Sequence, residues 1–493
     1  MLIVAALTVI GAALRFAVAR QSLFGDEIST YWIVSGNDLP DVISTVDTDA
    51  EITPPLYFVA TWLATRIDLT PELLRAPSLI AGVAAIPLVY ALGARTVGRR
   101  AALLAAAFCA LSPFMIFYSA EARGYELMVV LVLLSTLALL AAIDSRRTLW
   151  WVAYAACACA AVYTHYTSVF ALAGQLLWAL WAHPEARRPA LLASGGAAVA
   201  FLPWLPGLKG DLDSATTDIL SALQPFELDW VRISLTHWAI GHPFAGSGTG
   251  LRDLPGEPAL VLFALGLLVA LAGVVRERRS PPALDRRAVL VVVLALSVPV
   301  GEAVASAFGS NLFGTRNLAA SWPAYALCLA GFLLAGGRRL GVAAAALALA
   351  AFAIGAVKMV DEDFQRHDYD AVAAAVEERA GPRDVVVDGA SLSPAGLPPA
   401  LRIAFERPPR TFQLNRDEVT YDPFRIVAPA PPVAGVVEDA AAATDGGRIF
   451  FVLLEDSPLG REATGALPPG FERVETRTWP GIDRVVLDVY ERR

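Results

Sequence analysis

Residues 101–117 read AALLAAAFCALSPFMIF, a run with no charge and no polar stripe at helical spacing. A helix built from these residues has no face suited to water, so apolar surroundings must enclose it on every side. The run is long enough to span a bilayer, and comparable stretches of roughly 17 to 22 residues recur along the first part of the chain. Of the 493 residues, 56% are hydrophobic and 17% charged, with a mean hydropathy of +0.54. A soluble globular chain carries about 25% charged residues. The sequence therefore predicts an all-α polytopic membrane protein. A large soluble helical core would need amphipathic stripes that these stretches lack.

Eleven spans are predicted, at about 1–20, 74–95, 101–118, 125–143, 149–165, 167–182, 189–206, 258–275, 288–307, 318–335 and 340–358. The loop charges support this count. Arg95, Arg99 and Arg100 lie between spans two and three. Arg146 and Arg147 follow span four, and Arg187 and Arg188 follow span six. Arg276, Arg278, Arg279, Arg286 and Arg287 lie between spans eight and nine, and Arg338 and Arg339 follow span ten. All fall on one side, which the positive-inside rule makes cytoplasmic. The N-terminus is then expected to be cytoplasmic and everything after residue 358 external. Residues 54–66 are apolar but short, and are expected to form a re-entrant or interfacial segment. Ala17-Val18-Ala19 is similar to a signal-peptide cleavage site, but no Lys or Arg precedes the apolar run, so an uncleaved first span is expected.

Three parts follow: a transmembrane domain over 1–358, a long external loop over 207–257 within it, and an external α/β domain over 359–493. Asp370–Arg379 has a helical pattern, and 384–388, 448–454 and 484–490 read as strands. Pro-rich stretches 394–399 and 429–432 read as loops. The last part holds 15 Lys/Arg and 24 Asp/Glu, a net of −9 within a whole-chain total of −8. No basic patch offers a nucleic-acid partner. Cys109, Cys157, Cys159 and Cys328 all lie in predicted spans, which excludes a disulfide framework in the external domain.

On this topology, polar residues converge on the external face. Asp26 and Glu27 occupy the first external loop, Glu121 and Arg123 the second. His165 lies at the end of span five, and Arg316 precedes span ten. Arginines on that face oppose the charge bias that sets topology, and binding an anion explains them, because a guanidinium offers paired donors to phosphate oxygens. A carboxylate beside such arginines at lipid level suits transfer from a lipid phosphate. The acid takes a proton from an acceptor hydroxyl, and the arginines hold the leaving phosphate. Asp26 is the first candidate for the base, with Glu27 and Glu121 beside it. Arg123, Arg316 and Arg75 are candidates for the phosphate, and Tyr57, Tyr125 and His165 for substrate contact. His237, Trp238 and His242 are candidates for acceptor contact in the long loop. No Walker-type run points to a nucleotide, and no His-Glu-x-x-His or Cys-x-x-Cys motif points to a metal.

Five segments carry a resemblance: Phe24-Gly-Asp-Glu27, Thr53-Pro-Pro-Leu-Tyr57, Leu74-Arg-Ala-Pro-Ser78, Tyr118-Ser-Ala-Glu-Ala-Arg-Gly-Tyr125 and Tyr163-Thr-His-Tyr166. In this order the chain resembles the polytopic GT-C glycosyltransferases, in the branch of protein O-mannosyltransferases, aminoarabinose transferases and bacterial mannosyltransferase-like proteins. The likeness covers about residues 1–335. It implies a polyprenyl-phosphate sugar donor and an acceptor on the outer side, which the sequence leaves open as glycan, lipid or protein; the external α/β part and the lack of an organelle signal point to a bacterial plasma membrane. By motif match, Asp26 is the catalytic acid of the first loop, Glu121 matches the acid of the second, and Arg123 and Arg316 lie near the donor phosphate. Asn317 departs from the Tyr usual after that last arginine. A transporter or lipid flippase is the rival reading. It would place charged residues near the bilayer midplane across several spans, whereas here the polar groups crowd one face.

Overall fold

The computed structural model describes residues 1–493 except 49–50, 215–225, 243–249, 278–284, 310, 312, 392–397, 415–417, 422–423 and 429–430, and over 418–421 and 424–428 the backbone alone. Arg278 and Arg279, and parts of the predicted 207–257 loop and of the Pro-rich stretches, therefore lie outside the described residues. The chain divides into two compact units. The first comprises Met1–Ala19, Gly36–Asp47 and Glu51–Val360; the second consists chiefly of Arg20–Ser35 and Asp361–Arg493.

The first unit is helical. In chain order the helices are α1 (Leu2–Val18), α2 (Asp26–Val34, part of the second unit), α3 (Leu39–Val46), α4 (Leu56–Thr65), α5 (Pro71–Thr96), α6 (Arg99–Leu111), α7 (Pro113–Ser119), α8 (Tyr125–Ser145), α9 (Thr148–Thr164) and α10 (Ser168–Ala182). There follow α11 (Arg187–Phe201), α12 (Leu205–Asp213), α13 (Leu228–Ile240), α14 (Glu257–Glu277), α15 (Arg286–Ala307), α16 (Trp322–Ala335) and α17 (Gly337–Lys358). Every predicted span falls on helix. Among the described residues seven helices are long and apolar enough to cross a membrane, or eight if the bent pair α6–α7 counts as one; α1, α4, α9 and α10 are shorter apolar helices.

The predicted span 101–118 is not straight. It breaks at Ser112-Pro113 and turns by 58°. Pro113 has no N–H, so the Cys109 carbonyl loses its helical donor. Ser112 starts the new helix, its hydroxyl accepting from the Met115 N–H at 3.4 Å. The freed carbonyls are taken up by Arg15 of α1, which is fully buried. Its guanidinium donates to the carbonyls of Cys109 (2.9 Å), Ala110 (3.3 Å) and Gly11 (3.1 Å), and to Ser119 Oγ (2.9 Å). Gly82 lets α5 close on this joint: a Cβ there would meet Ser119 Oγ at 2.0 Å.

The second unit adds α18 (Tyr369–Glu377), α19 (Ala400–Ala404), α20 (Val433–Ala443) and α21 (Pro458–Gly465). Its strands are β1 (Val385–Asp388), β2 (Arg410–Gln413), β3 (Glu418–Tyr421), β4 (Phe424–Ala428), β5 (Ile449–Leu454), β6 (Phe471–Trp479) and β7 (Val485–Arg492). A five-stranded sheet runs β2-β1-β5-β7-β6, with β1 parallel to β2 and β5, and β7 antiparallel to β5 and β6; β3 and β4 form a separate antiparallel pair. The runs VVV in β1 and IFFVL in β5 are apolar throughout because the sheet is covered on both faces. Val386, Phe450 and Val452 pack with Val372, Val376, Leu401 and also Ile28 of α2, while Val387, Ile449 and Phe451 pack with Val437, Ala440 and Ala463. The fold is thus a polytopic helical membrane protein with a small α/β unit.

Two outcomes follow. Arg15→Met should lower the stability of the detergent-solubilised protein by about 3 kcal/mol, because it leaves buried carbonyls without donors. An unchanged thermal midpoint would count against the joint. Asp388, buried at the end of β1, accepts from the N–H groups of Ala390 and Ser391 at 3.0 Å and from the Ser391 hydroxyl. Burial pushes its carboxyl up to about 6 against the pull of Ser391. The folded state then favours the protonated acid. Relative to Asp388→Asn, wild-type stability should fall as pH rises from about 4 to about 6 and level off above. Thermal unfolding of both proteins across that range checks the sign.

Candidate active site

In the first unit, residues of α4 and α5 meet those of several connections. Pro54-Pro55 starts α4 and delivers Tyr57 into the interior, where its hydroxyl lies 2.8 Å from Ser78 Oγ of α5 and donates to the Leu74 carbonyl at 3.4 Å. Ser78 in turn donates to the Arg123 carbonyl at 2.9 Å. Arg75, one turn earlier on α5, is fully buried and donates to the Ala19 carbonyl at 2.7 Å. The turn 120–124 joins α7 to α8. Gly124 allows it to press on the end of α9, since a Cβ there would meet Thr164 atoms at 3.1 and 3.2 Å.

Arg123 is held by a carboxylate that sequence reasoning did not single out. Its two terminal nitrogens donate to both oxygens of Glu51, at 2.6 and 2.9 Å, and its charge lies over the Phe58 ring at 5.7 Å. Both members of the pair are buried. The fork-to-fork geometry fixes the plane of the guanidinium. Glu51 stands two residues before Thr53-Pro-Pro; its partner is 72 residues away, and nothing local announces the pairing.

Aromatic rings that flank the 120–124 turn in sequence form a ladder to His165: Phe114–Tyr118 at 4.9 Å, Tyr118–Tyr125 at 4.8 Å and Tyr125–His165 at 5.2 Å. His165 Nδ1 lies 2.9 Å from Thr167 Oγ1, and Thr167 reaches the Asn317 carbonyl at 3.4 Å. That contact ties the α9–α10 connection to the 3-10 turn Thr315–Ser321, which carries Arg316. The charges of Arg123 and Arg316 both act on His165. Glu121 is half-buried in the same turn as Arg123, its carbonyl accepting the Arg123 N–H at 2.8 Å. The structure thus gathers Arg123, Tyr57, Tyr125, His165 and Arg316, with Glu51 added.

His237, Trp238 and His242 are buried. Trp238 donates its indole N–H to the Leu318 carbonyl at 3.0 Å, and His237 Nδ1 pairs with the His242 carbonyl. Burial holds the His237 imidazole below its ordinary range, so it is neutral at pH 7. Among the described residues no three His, Cys, Asp or Glu side chains group as a metal site.

In the second unit, Asp26 and Glu27 open α2 after Gly25, whose φ of 55° is left-handed. The two carboxylates differ in surroundings. Glu27 is fully buried and pairs with Arg366 at 2.6 Å, while Asp26, at the first helical position, is half-buried.

Comparison with known proteins completes the picture. Residues 53–206 match the family described as dolichyl-phosphate-mannose-protein mannosyltransferase. The crystal structure of ArnT from Cupriavidus metallidurans bound to undecaprenyl phosphate superposes with a TM-score of 0.50 at 13% identity, covering 99% of this chain and 97% of that one. The archaeal oligosaccharyltransferase AglB from Archaeoglobus fulgidus, in complex with an inhibitory peptide and a dolichol-phosphate, gives a TM-score of 0.49 at 13% identity, covering 91% of this chain and 69% of that one. No curated protein matches by sequence. The fold is that of a GT-C membrane glycosyltransferase, and residues 53–206 resemble the mannosyltransferase family.

The Glu51–Arg123 pair should behave as one unit. Glu51→Gln, Arg123→Met and the double variant, compared by thermal unfolding, should show a coupling energy of about 1–3 kcal/mol. Additive losses would mean that the two side chains act independently.

Proposed function

We propose that the protein moves a sugar from a polyprenyl-phosphate donor to an acceptor hydroxyl on the outer face of a bacterial plasma membrane. Asp26 takes the proton from the acceptor hydroxyl as its oxygen bonds to the anomeric carbon. The bond from that carbon to the phosphate oxygen breaks, its electrons leave with the polyprenyl phosphate, and the configuration at the anomeric carbon inverts. Arg123 and Arg316 carry the positive charge that receives the leaving phosphate, and Arg75 is the third candidate for that role. Tyr57, Tyr125 and His165 line the path of the sugar or lipid. Residues 1–358 form the catalytic membrane domain and 359–493 the external one, with the N-terminus in the cytoplasm, in keeping with the Arg-rich loops.

The observation that carries this reading is the gathering of Arg123, Tyr57, Tyr125 and His165 inside the segment 53–206, which matches a family whose description names a lipid-phosphate sugar. The ArnT structure of the same fold holds a polyprenyl phosphate, which fits a lipid-linked donor. Asp26 is favoured over Glu27 as base because Glu27 is fully buried against Arg366, whereas Asp26 is half-buried at the first helical position.

The test is transfer by purified, reconstituted protein offered a panel of radiolabelled undecaprenyl-phosphate sugars, with an envelope extract as acceptor. Asp26→Asn should cut turnover by about 100-fold or more while insertion and unfolding midpoint stay unchanged. Undiminished transfer by that variant removes Asp26 from the chemistry. No turnover of any donor by folded wild-type protein removes the reading itself.

A further inference from the structure

The segment that carries the first-loop acids is built into the unit made of the end of the chain. Arg20–Ser35 and Asp361–Arg493 form one compact body. The attachments bracket Asp26 on both sides. Before it, Gln21 Oε1 accepts the Arg366 N–H at 2.9 Å, and Ser22 Oγ both donates to Asp370 Oδ2 at 2.8 Å and accepts the Asp370 N–H at 3.0 Å. The Phe24 ring stacks on His367 at 5.4 Å, and His367 stacks on Tyr369 at 5.4 Å. After it, Glu27 Oε2 meets Arg366 Nη1 at 2.6 Å, and the same oxygen accepts the Phe24 N–H at 3.2 Å. Ile28, two residues beyond Asp26, is 1% exposed within the core of the sheet, and the Trp32 indole donates to the Pro398 carbonyl at 3.4 Å.

We propose that the C-terminal unit sets the position of Asp26, with Arg366 as a positioning residue acting through Glu27 and the Phe24–His367–Tyr369 stack as the second anchor. This rests on the reading of Asp26 as the base. Glu27 Oε2 is the pivot, because it holds Arg366 from one side and the backbone just before Gly25 from the other. Stability alone does not call for this pair. A buried ion pair replaced by packed apolar side chains is often neutral or stabilising. What such a pair supplies is direction: a fixed line from the guanidinium through the carboxylate to the backbone that carries the neighbouring Asp26. A misplacement on the order of 1 Å at a reacting group can cost about 100-fold in rate.

The experiment compares wild type with Arg366→Met, Glu27→Met/Arg366→Met and Asp26→Asn. Two readouts are used: hydrogen–deuterium exchange on the full-length protein, and transfer from undecaprenyl-phosphate [14C]mannose with an envelope extract as acceptor. Arg366→Met should raise amide exchange over Phe24–Thr30 by about tenfold while amides of β1 and β5 keep their protection. The double variant should recover the wild-type unfolding midpoint. Its kcat should nevertheless stay at least about tenfold low, with the donor KM within about twofold of wild type. Exchange over Phe24–Thr30 that does not respond to Arg366→Met overturns the proposal. So does a double variant that recovers kcat along with its midpoint, since the pair would then be structural only. Asp26→Asn separates the two readings. Wild-type turnover by that variant refutes the base, whereas its inactivity beside a fully active double variant refutes the positioning role alone.

Discussion

Arg15 is a guanidinium buried within the first apolar helix, and the course of the chain around the site depends on how it is satisfied. Taking a guanidinium out of water costs on the order of several kcal/mol unless its donors are satisfied. The cost is offset because Pro113 leaves carbonyls at the end of α6 without helical donors, and Arg15 donates to the carbonyls of Cys109 and Ala110. Neither feature is comfortable alone: the break needs a donor and the arginine needs acceptors. Glu126 of α8 acts on the same guanidinium. Once the joint is made, α7 departs at 58°, and the turn holding Glu121 and Arg123 follows from its end.

Among the described residues, each unit holds a buried Arg–Glu pair: Arg123–Glu51 in the first and Arg366–Glu27 in the second. Pairs of this kind contribute little net stability and much geometric definition. In the first unit the definition falls on a cation. Glu51 grips both terminal nitrogens of Arg123, so its charge is presented in one plane rather than on a swinging stem. In the proposed reaction, a charge fixed beforehand need not reorganise, which is how an electrostatic site in a dry setting contributes most. The Phe58 ring beneath the guanidinium and the burial of both partners keep water away from that charge.

The helical part of the fold was legible because hydropathy over a span-length window needs no tertiary knowledge. All the predicted spans are helical, and the strands read at 384–388, 448–454 and 484–490 are present. The break within 101–118 escaped because a hydropathy window does not register a missing N–H, although Ser112-Pro113 stood in plain view. Strand β6, FERVETRTW, escaped because its burial is slight and its side chains largely polar. Of the candidate site, the residues in short motifs, Tyr57, Arg123, Tyr125 and His165, were named from sequence and come together in the first unit. Glu51 was not, and neither was the union of Arg20–Ser35 with the end of the chain, which joins Glu27 to Arg366 across 339 residues. Periodicity and motif spacing are local measures, and such pairings exist only once the chain has folded.

Asp26 and Glu27 show how one dipeptide divides into two roles. Successive residues on a helix project about 100° apart, so a backbone that aims Glu27 into the interior cannot aim Asp26 the same way. Glu27 takes the inward direction, where a buried carboxylate survives only with a cation, and Arg366 supplies it. Asp26 is left half-buried at the first turn, beside a left-handed Gly25 that lets the chain enter the helix sharply. The acid closed off from solvent orients the helix, and under the proposed function the half-buried acid at its rim is the one that meets the hydroxyl. An exchange of these two side chains would keep the composition and the local charge while placing the longer carboxylate at the rim and the shorter one out of reach of Arg366, so the order of the two acids carries the arrangement as much as their presence does.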